Sequence, residues 1–166
     1  SKKMIDAALE RQLSLKREGV YRPVGQILVE NGDLDKDTLD LILRKQGEDM
    51  LHSVELFKSL PPELLKKIAG MAEFRAFPEG EVIIHEGDQG DSFYHVVSGS
   101  ARVFQISEDG IDVTLNELEP GESFGEMALL TGEPRSASVD TQETSCFLVI
   151  SKQAFEDVVA ESPEFS

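Results

Sequence analysis

Arg135 is the only arginine between Val103 and Ser166, and Lys152 the only lysine, in a stretch otherwise rich in carboxylates. Its surroundings are small or turn-forming, the run from Phe124 to Val139 reading FGEMALLTGEPRSASV. A lone guanidinium in that setting suits a single anion, because its planar fork meets a phosphate through two parallel N–H donors. Gly125-Glu126-Met127-Ala128-Leu129 can open a short helix whose first N–H groups lack intrahelical acceptors and so face an anion. Glu126 can accept a hydrogen bond from a sugar hydroxyl. Phosphate and ribose recognised within the eleven residues 125–135 point to a nucleotide monophosphate.

Other chemistries fit less well. Gly121-Glu-Ser123-Phe-Gly125 matches the G-x-S-x-G pattern of hydrolases, but that arrangement needs a later histidine and none follows His95. His52, His85 and His95 are too scattered for a metal site, and His85 and Glu86 would point to opposite faces of a strand. Cys146 is the only cysteine, so no internal disulfide forms, and its apolar run Cys146-Phe-Leu-Val-Ile150 marks a buried thiol. No catalytic residue, metal or cofactor is expected.

The elements that must position Arg135 and Glu126 are strands. After Phe77-Pro78 the apolar period falls from 3.6 to about 2. Strands are expected near Glu81–His85, Phe93–Val97, Ala101–Ile106, Val113–Leu118, Ser136–Thr141 and Cys146–Ile150, separated by glycine turns. Many short antiparallel strands imply a sandwich or barrel. Helices flank them. Pro61-Pro62 opens one with Leu64, Leu65, Ile68 and Met71 as its buried stripe, and Lys152–Ala160 forms another that Pro163 interrupts.

Phe124–Val139 resembles the phosphate-binding cassette of cyclic nucleotide-binding domains, as in regulatory subunits of cyclic-AMP-dependent protein kinase and bacterial catabolite activator proteins. The similarity runs from about Leu56 to Phe165 and includes Gly80-Glu-Val-Ile-Ile-His-Glu-Gly87-Asp88 and Phe93-Tyr-His-Val-Val-Ser-Gly99. It implies an α+β fold: an antiparallel β-roll (a double-stranded β-helix, jelly-roll-like) flanked by helices, here with an N-terminal helical segment. It also implies roles. Arg135 and Ser136 would hold the cyclic phosphate with backbone N–H groups near Met127 and Ala128. Glu126 and Gly125 would take the ribose 2′-hydroxyl, beside Phe124. Val103 and Leu115, on facing strands, would form the apolar wall beneath the purine. A Thr after the cassette arginine often accompanies guanine selectivity in this family, and Ser136 in that place favours cyclic AMP over cyclic GMP. Family members carry a helix after the roll that closes over the base. In this sequence Pro163 interrupts the last helix and the chain stops at Ser166, so a full lid is not expected and purine selectivity should be weak.

The N-terminal part is helical and repeats. Ile5-Asp-Ala-Ala-Leu9-Glu-Arg-Gln12 and Leu39-Asp-Leu-Ile-Leu43-Arg-Lys-Gln46 align at an offset of 34 residues. That period suits tetratricopeptide repeats, whose aromatic and glycine signature is missing. Between the two copies, Pro23 suits a first helical turn, Gly32 a helix end, Val24, Ile27 and Leu28 a common face, and Asp35 an N-cap. The segment 22–46 resembles a repeat from the N-terminal domain of type II secretion and pilus-assembly ATPases. Some of those domains bind cyclic di-GMP through paired motifs beginning Arg-Leu-Gly, whereas here Pro23 and Val24 separate Arg22 from Gly25. A packing or homodimerising module is therefore the first reading and a cyclic di-GMP site the alternative. The expected division is a helical module over 1–47, a linker or helix over 48–55 with Gly47 at its start, and the nucleotide domain over 56–166.

Charge is unevenly shared. Residues 1–50 carry nine basic and ten acidic groups, whereas 51–166 carry seven and twenty-two. So acidic a surface repels nucleic acid and anionic membrane, and the partner that the resemblance implies is a cyclic mononucleotide. With no run approaching about 18 apolar residues and no signal peptide, the expected location is cytoplasmic. Ser1 stands abruptly before a helical pattern, which reads as a trimmed chain. Together these features suggest a non-enzymatic sensor that relays cyclic nucleotide binding to other domains or partners. A nucleotide-independent interaction module with the same fold is the alternative, though such a module has no need of both Arg135 and Glu126.

Overall fold

The computed structural model describes residues 2–20 and 22–161. Five helices precede the strands: α1 (Lys2–Arg17), α2 (Val24–Glu30), α3 (Lys36–His52), α4 (Glu55–Lys58) and α5 (Pro62–Met71). Pro23 caps α2 from an extended conformation, and Ile27 buries its apolar face. The Asp35 carboxylate caps α3 as expected, accepting from the Asp37 N–H at 3.0 Å and from the Thr38 hydroxyl. Gly47 does not begin a linker, because α3 runs through it and this residue is buried against Leu148. The stripe of α5 buries Leu64, Leu65, Ile68 and Ala69, but Met71 is exposed, since the helix ends there and the chain turns into the first strand.

The strands are β1 (Glu73–Phe77), β2 (Val82–Ile84), β3 (Ser92–Ser98), β4 (Ala101–Ile106), β5 (Asp112–Leu118), β6 (Ser123–Phe124), β7 (Ser138–Thr141) and β8 (Ser145–Ser151). Between β6 and β7 lies α6 (Glu126–Leu130), and α7 (Lys152–Ala160) follows β8. Residues from 162 onward, including the expected interruption at Pro163, lie outside the described part. Two antiparallel four-stranded sheets result, ordered β1-β8-β3-β6 and β2-β7-β4-β5. Strand β1 carries no clean alternation because it is an edge strand paired only with β8, and β6 is too short to show a period. At the other end of the range, β7 starts at Ser138 because Arg135–Ala137 leave the ladder for the cassette turn.

The two central strands explain the layering. In β8, Leu148 and Ile150 face a core shared with Leu51, Phe57, Leu64, Leu65, Ile68 and Leu129 of the helices. Phe147 and Val149, on the opposite face, join Tyr94, Val96, Val139 and Ile84 between the sheets. Both faces are covered, so β8 reads as an unbroken apolar run. This is the α+β roll with flanking helices that the resemblance implied.

Candidate functional site

Phe124 anchors the cassette. Its backbone pairs with Tyr94 of β3, and the two rings stack with centroids 5.0 Å apart and planes within 3°. Phe124 also meets Phe147 edge-on, so the strand leading into the site is fixed from two sides. Gly125 then turns the chain with φ +88°, a left-handed conformation that costs glycine little. A Cβ here would lie 2.7 Å from Arg135 Nη1 and 2.8 Å from the Ser92 carbonyl, so the glycine is also what admits the guanidinium.

Arg135 sits half-buried behind that turn. Its Nη2 donates to the Ser92 carbonyl at 2.5 Å. Among the described residues no carboxylate lies within ion-pair distance of it. Burial pushes its pKa down, against the opposing influence of Tyr94, Asp91 and Asp88. Arg102 is the opposite case. It bonds Asp112 and Asp140, lies 4.2 Å over the Phe104 ring, and has its pKa raised by those two carboxylates. One arginine is satisfied internally, while the other keeps donors for an external anion.

The backbone around Arg135 is held as well. Its N–H donates to the Asp88 carbonyl at 2.7 Å, its carbonyl accepts from Gly87 at 2.8 Å, and Gly90 N–H donates to the Glu133 carbonyl at 3.1 Å. In front of the guanidinium is a cavity of about 320 Å³ lined by residues 124–128, residues 133–137, Ile84, Val103 and Val139. It brings together Phe124, Gly125, Glu126, Met127, Ala128, Arg135, Ser136 and Val103. Leu115 is not among its lining. Val103 pairs with Asn116 and Phe104 with Thr114, so Leu115 falls at the bulge between these registers and stays half exposed. Ala128 also differs from expectation, because its N–H is taken by the Gly125 carbonyl at 3.0 Å. That leaves the Glu126 and Met127 N–H groups for an anion.

Sequence reasoning missed Ile84 and Val139. Register explains their presence: Val139 pairs with Ile84 of β2 on one side and Val103 of β4 on the other, forming an apolar row across three strands. Alternation within each strand names apolar residues but not which of them become neighbours.

The histidines stand apart from this cavity. His95 is buried with its Nδ1 2.7 Å from Ser123 Oγ, and burial lowers its pKa. Ser123 lies in the β3–β6 ladder rather than on a strand-to-helix elbow, and no carboxylate orients His95 among the described residues. No cluster of three His, Cys, Asp or Glu side chains suited to a metal occurs among the described residues. Nor is any helix in that part long and apolar enough to cross a membrane.

Known proteins resemble this chain in sequence and in fold. Residues 74–162 match the family model of the cyclic nucleotide-binding domain. The chain is 37% identical over 112 residues to a cAMP-dependent protein kinase regulatory subunit of Blastocladiella emersonii, covering 68% of this chain and 28% of that protein. It is 33% identical over 135 residues to human cGMP-dependent protein kinase 2, covering 76% and 18%. Among solved structures, a cyclic nucleotide-binding-like protein from Brucella abortus superposes with a TM-score of 0.64 at 29% identity, covering 70% of this chain and 99% of that one. The regulatory domain of Toxoplasma gondii PKA with cAMP gives 0.65 at 25% identity, covering 80% and 51%. The chain thus spans 28% and 18% of the lengths of the Blastocladiella and human kinase-related proteins. With the family model matching more than half of its residues, and the cassette occupying the turn that the fold builds around Arg135, the chain belongs to the cyclic nucleotide-binding domain family.

Proposed function

We propose that this chain is a regulatory, non-enzymatic domain that binds a 3′,5′-cyclic nucleotide, cyclic AMP in preference to cyclic GMP, and relays the event to other domains. The observation that carries the reading is Arg135: half-buried, free of carboxylates among the described residues, and lining a cavity of about 320 Å³ with Glu126 and Ser136. Arg135 and the Ser136 hydroxyl hold the cyclic phosphate, helped by the Met127 N–H. A charge-assisted pair of this kind contributes on the order of 1.5–3 kcal/mol. Glu126 and Gly125 take the ribose 2′-hydroxyl, and Val103 with Ile84 and Val139 forms the apolar floor. Ser136 in place of Thr supports the preference for cyclic AMP. The helical module supplies packing and a surface for homodimerisation, and the cytoplasm is where such a nucleotide is met.

Calorimetry on the unsubstituted chain and on Glu126→Ala, with cyclic AMP, cyclic GMP and 2′-deoxy cyclic AMP, tests this reading. Binding is expected for both ribose nucleotides, and Glu126→Ala should erase the preference for ribose over deoxyribose. Failure of the unsubstituted chain to bind either nucleotide would sink the proposal.

One observation favours a second site for cyclic di-GMP. Gln12 and Gln46, equivalent in the 34-residue repeat, both line a cavity of about 600 Å³ with Val24, Gly25, Leu39 and Leu43. Including cyclic di-GMP in the same titrations decides it, since heat released by that ligand alone would assign the helical module a ligand of its own.

A further inference from the structure

The cassette's exit from the sheet leaves a gap in the ladder, and one side chain bridges it. Strand β4 pairs with β7 from Ala101↔Thr141 to Phe104↔Ser138, and there the backbone pairing stops. Residues 135–137 diverge toward the cavity, so the ladder no longer holds them. Gln105 is the next residue of β4, and its amide Nε2 donates to the Ser136 carbonyl at 2.7 Å. By the period of two, Gln105 shares a strand face with Val103, which lines the cavity. Ser136 lines it too, and its hydroxyl makes no hydrogen bond to another described residue. The donor therefore acts on the carbonyl of a residue whose hydroxyl is unengaged beside Arg135.

We propose that Gln105 is a positioning residue for phosphate recognition: by holding the Ser136 carbonyl to β4 it keeps the Ser136 hydroxyl at the cavity wall. The inference rests on the nucleotide reading above and adds a residue outside the cassette to it. A primary amide suits the task because it donates without charge. A lysine would add a cation beside the phosphate, and a carboxylate would face a carbonyl with no proton to give. Because Gln105 acts through Ser136 and not on the base, its loss should weaken cyclic AMP and cyclic GMP alike.

The test uses Gln105→Met, which keeps length and volume but removes the donor, together with Ser136→Ala and the double variant. Affinities for both nucleotides are measured by calorimetry, alongside melting temperature without ligand. Gln105→Met is expected to weaken both nucleotides by the same factor, about two- to tenfold for one neutral hydrogen bond, with an unchanged melting temperature. In the Ser136→Ala background it should cost nothing further, since the group it positions is gone. Undiminished affinity, a loss confined to one purine, or losses that add fully in the double variant would each overturn the inference while the unsubstituted chain still binds. Absence of binding by the unsubstituted chain overturns the nucleotide reading and this inference with it.

Discussion

At the scale of single residues, the contrast between Arg102 and Arg135 governs what substitution does. Arg102 is tied to two carboxylates, whereas Arg135 has one carbonyl partner, so removing Arg135 strips the cavity of its cation without breaking an ion pair. Arg135→Ala is expected to lower cyclic nucleotide affinity at least about 10-fold, the equivalent of about 1.4 kcal/mol, with little change in urea midpoint. Arg135→Lys should recover only part of it, because a point charge lacks the fork. Calorimetry paired with urea unfolding checks both, and a folded Arg135→Ala chain of unchanged affinity would remove Arg135 from the site. His95 carries a different consequence. Burial holds its folded pKa below the ordinary 6.5. Above that value both states are neutral and no proton is exchanged. Below it the unfolded chain binds a proton that the native one refuses, so stability is lost as pH falls below about 6.5. His95→Gln, which keeps a polar partner for Ser123, should flatten the urea midpoint between pH 7.5 and 5.5. An equally steep fall in that variant would place the titrating group elsewhere.

At the scale of elements, two glycines behave oppositely for steric reasons. Gly70 lies within α5, and a Cβ there would meet nothing within 4 Å. Gly70→Ala is therefore expected to stabilise by about 0.5–1 kcal/mol through helix propensity, seen as a melting temperature higher by about 1–4 °C. Gly90 lies where its loop touches the cassette, and a Cβ would sit 2.5 Å from the Glu133 carbonyl and 3.0 Å from Ala128 Cβ. Gly90→Ala must push the loop off the cassette, so it should destabilise the fold and weaken nucleotide binding together. The paired measurements are thermal unfolding and calorimetry, and a neutral Gly90→Ala would show that this loop does not hold the cassette in place. The sequence carried α2, α7, the Asp35 cap and most strands, because each has a local period or punctuation residue. It did not carry β1, β6 or the continuity of α3 through Gly47. Those depend on partners distant in sequence: β8 for β1, β3 for β6, and Leu148 for Gly47.

At the scale of the whole molecule, a net charge of −16 opposes the approach of an anionic ligand. The repulsion acts over about 30 Å at 0.01 M salt and about 8 Å at 0.15 M. The association rate of a cyclic nucleotide should therefore rise with salt, while dissociation, set by contacts at Arg135, stays nearly constant. Stopped-flow measurements across that range test this, and a rate that falls with salt would mean the local cation outweighs the global field. Composition alone decides that repulsion, and local sequence decides the cassette: a glycine turn, a carboxylate and a guanidinium within eleven residues are legible before any packing. What only the tertiary structure decided is which side chains meet across the sheets. Val139 joins Ile84 and Val103 through register, Leu115 is set aside by a bulge, and Gln105 reaches Ser136 where the ladder ends. The physical reason is common to all three. Period and propensity act along the chain, whereas register and hydrogen-bond competition are settled between segments only when they pack.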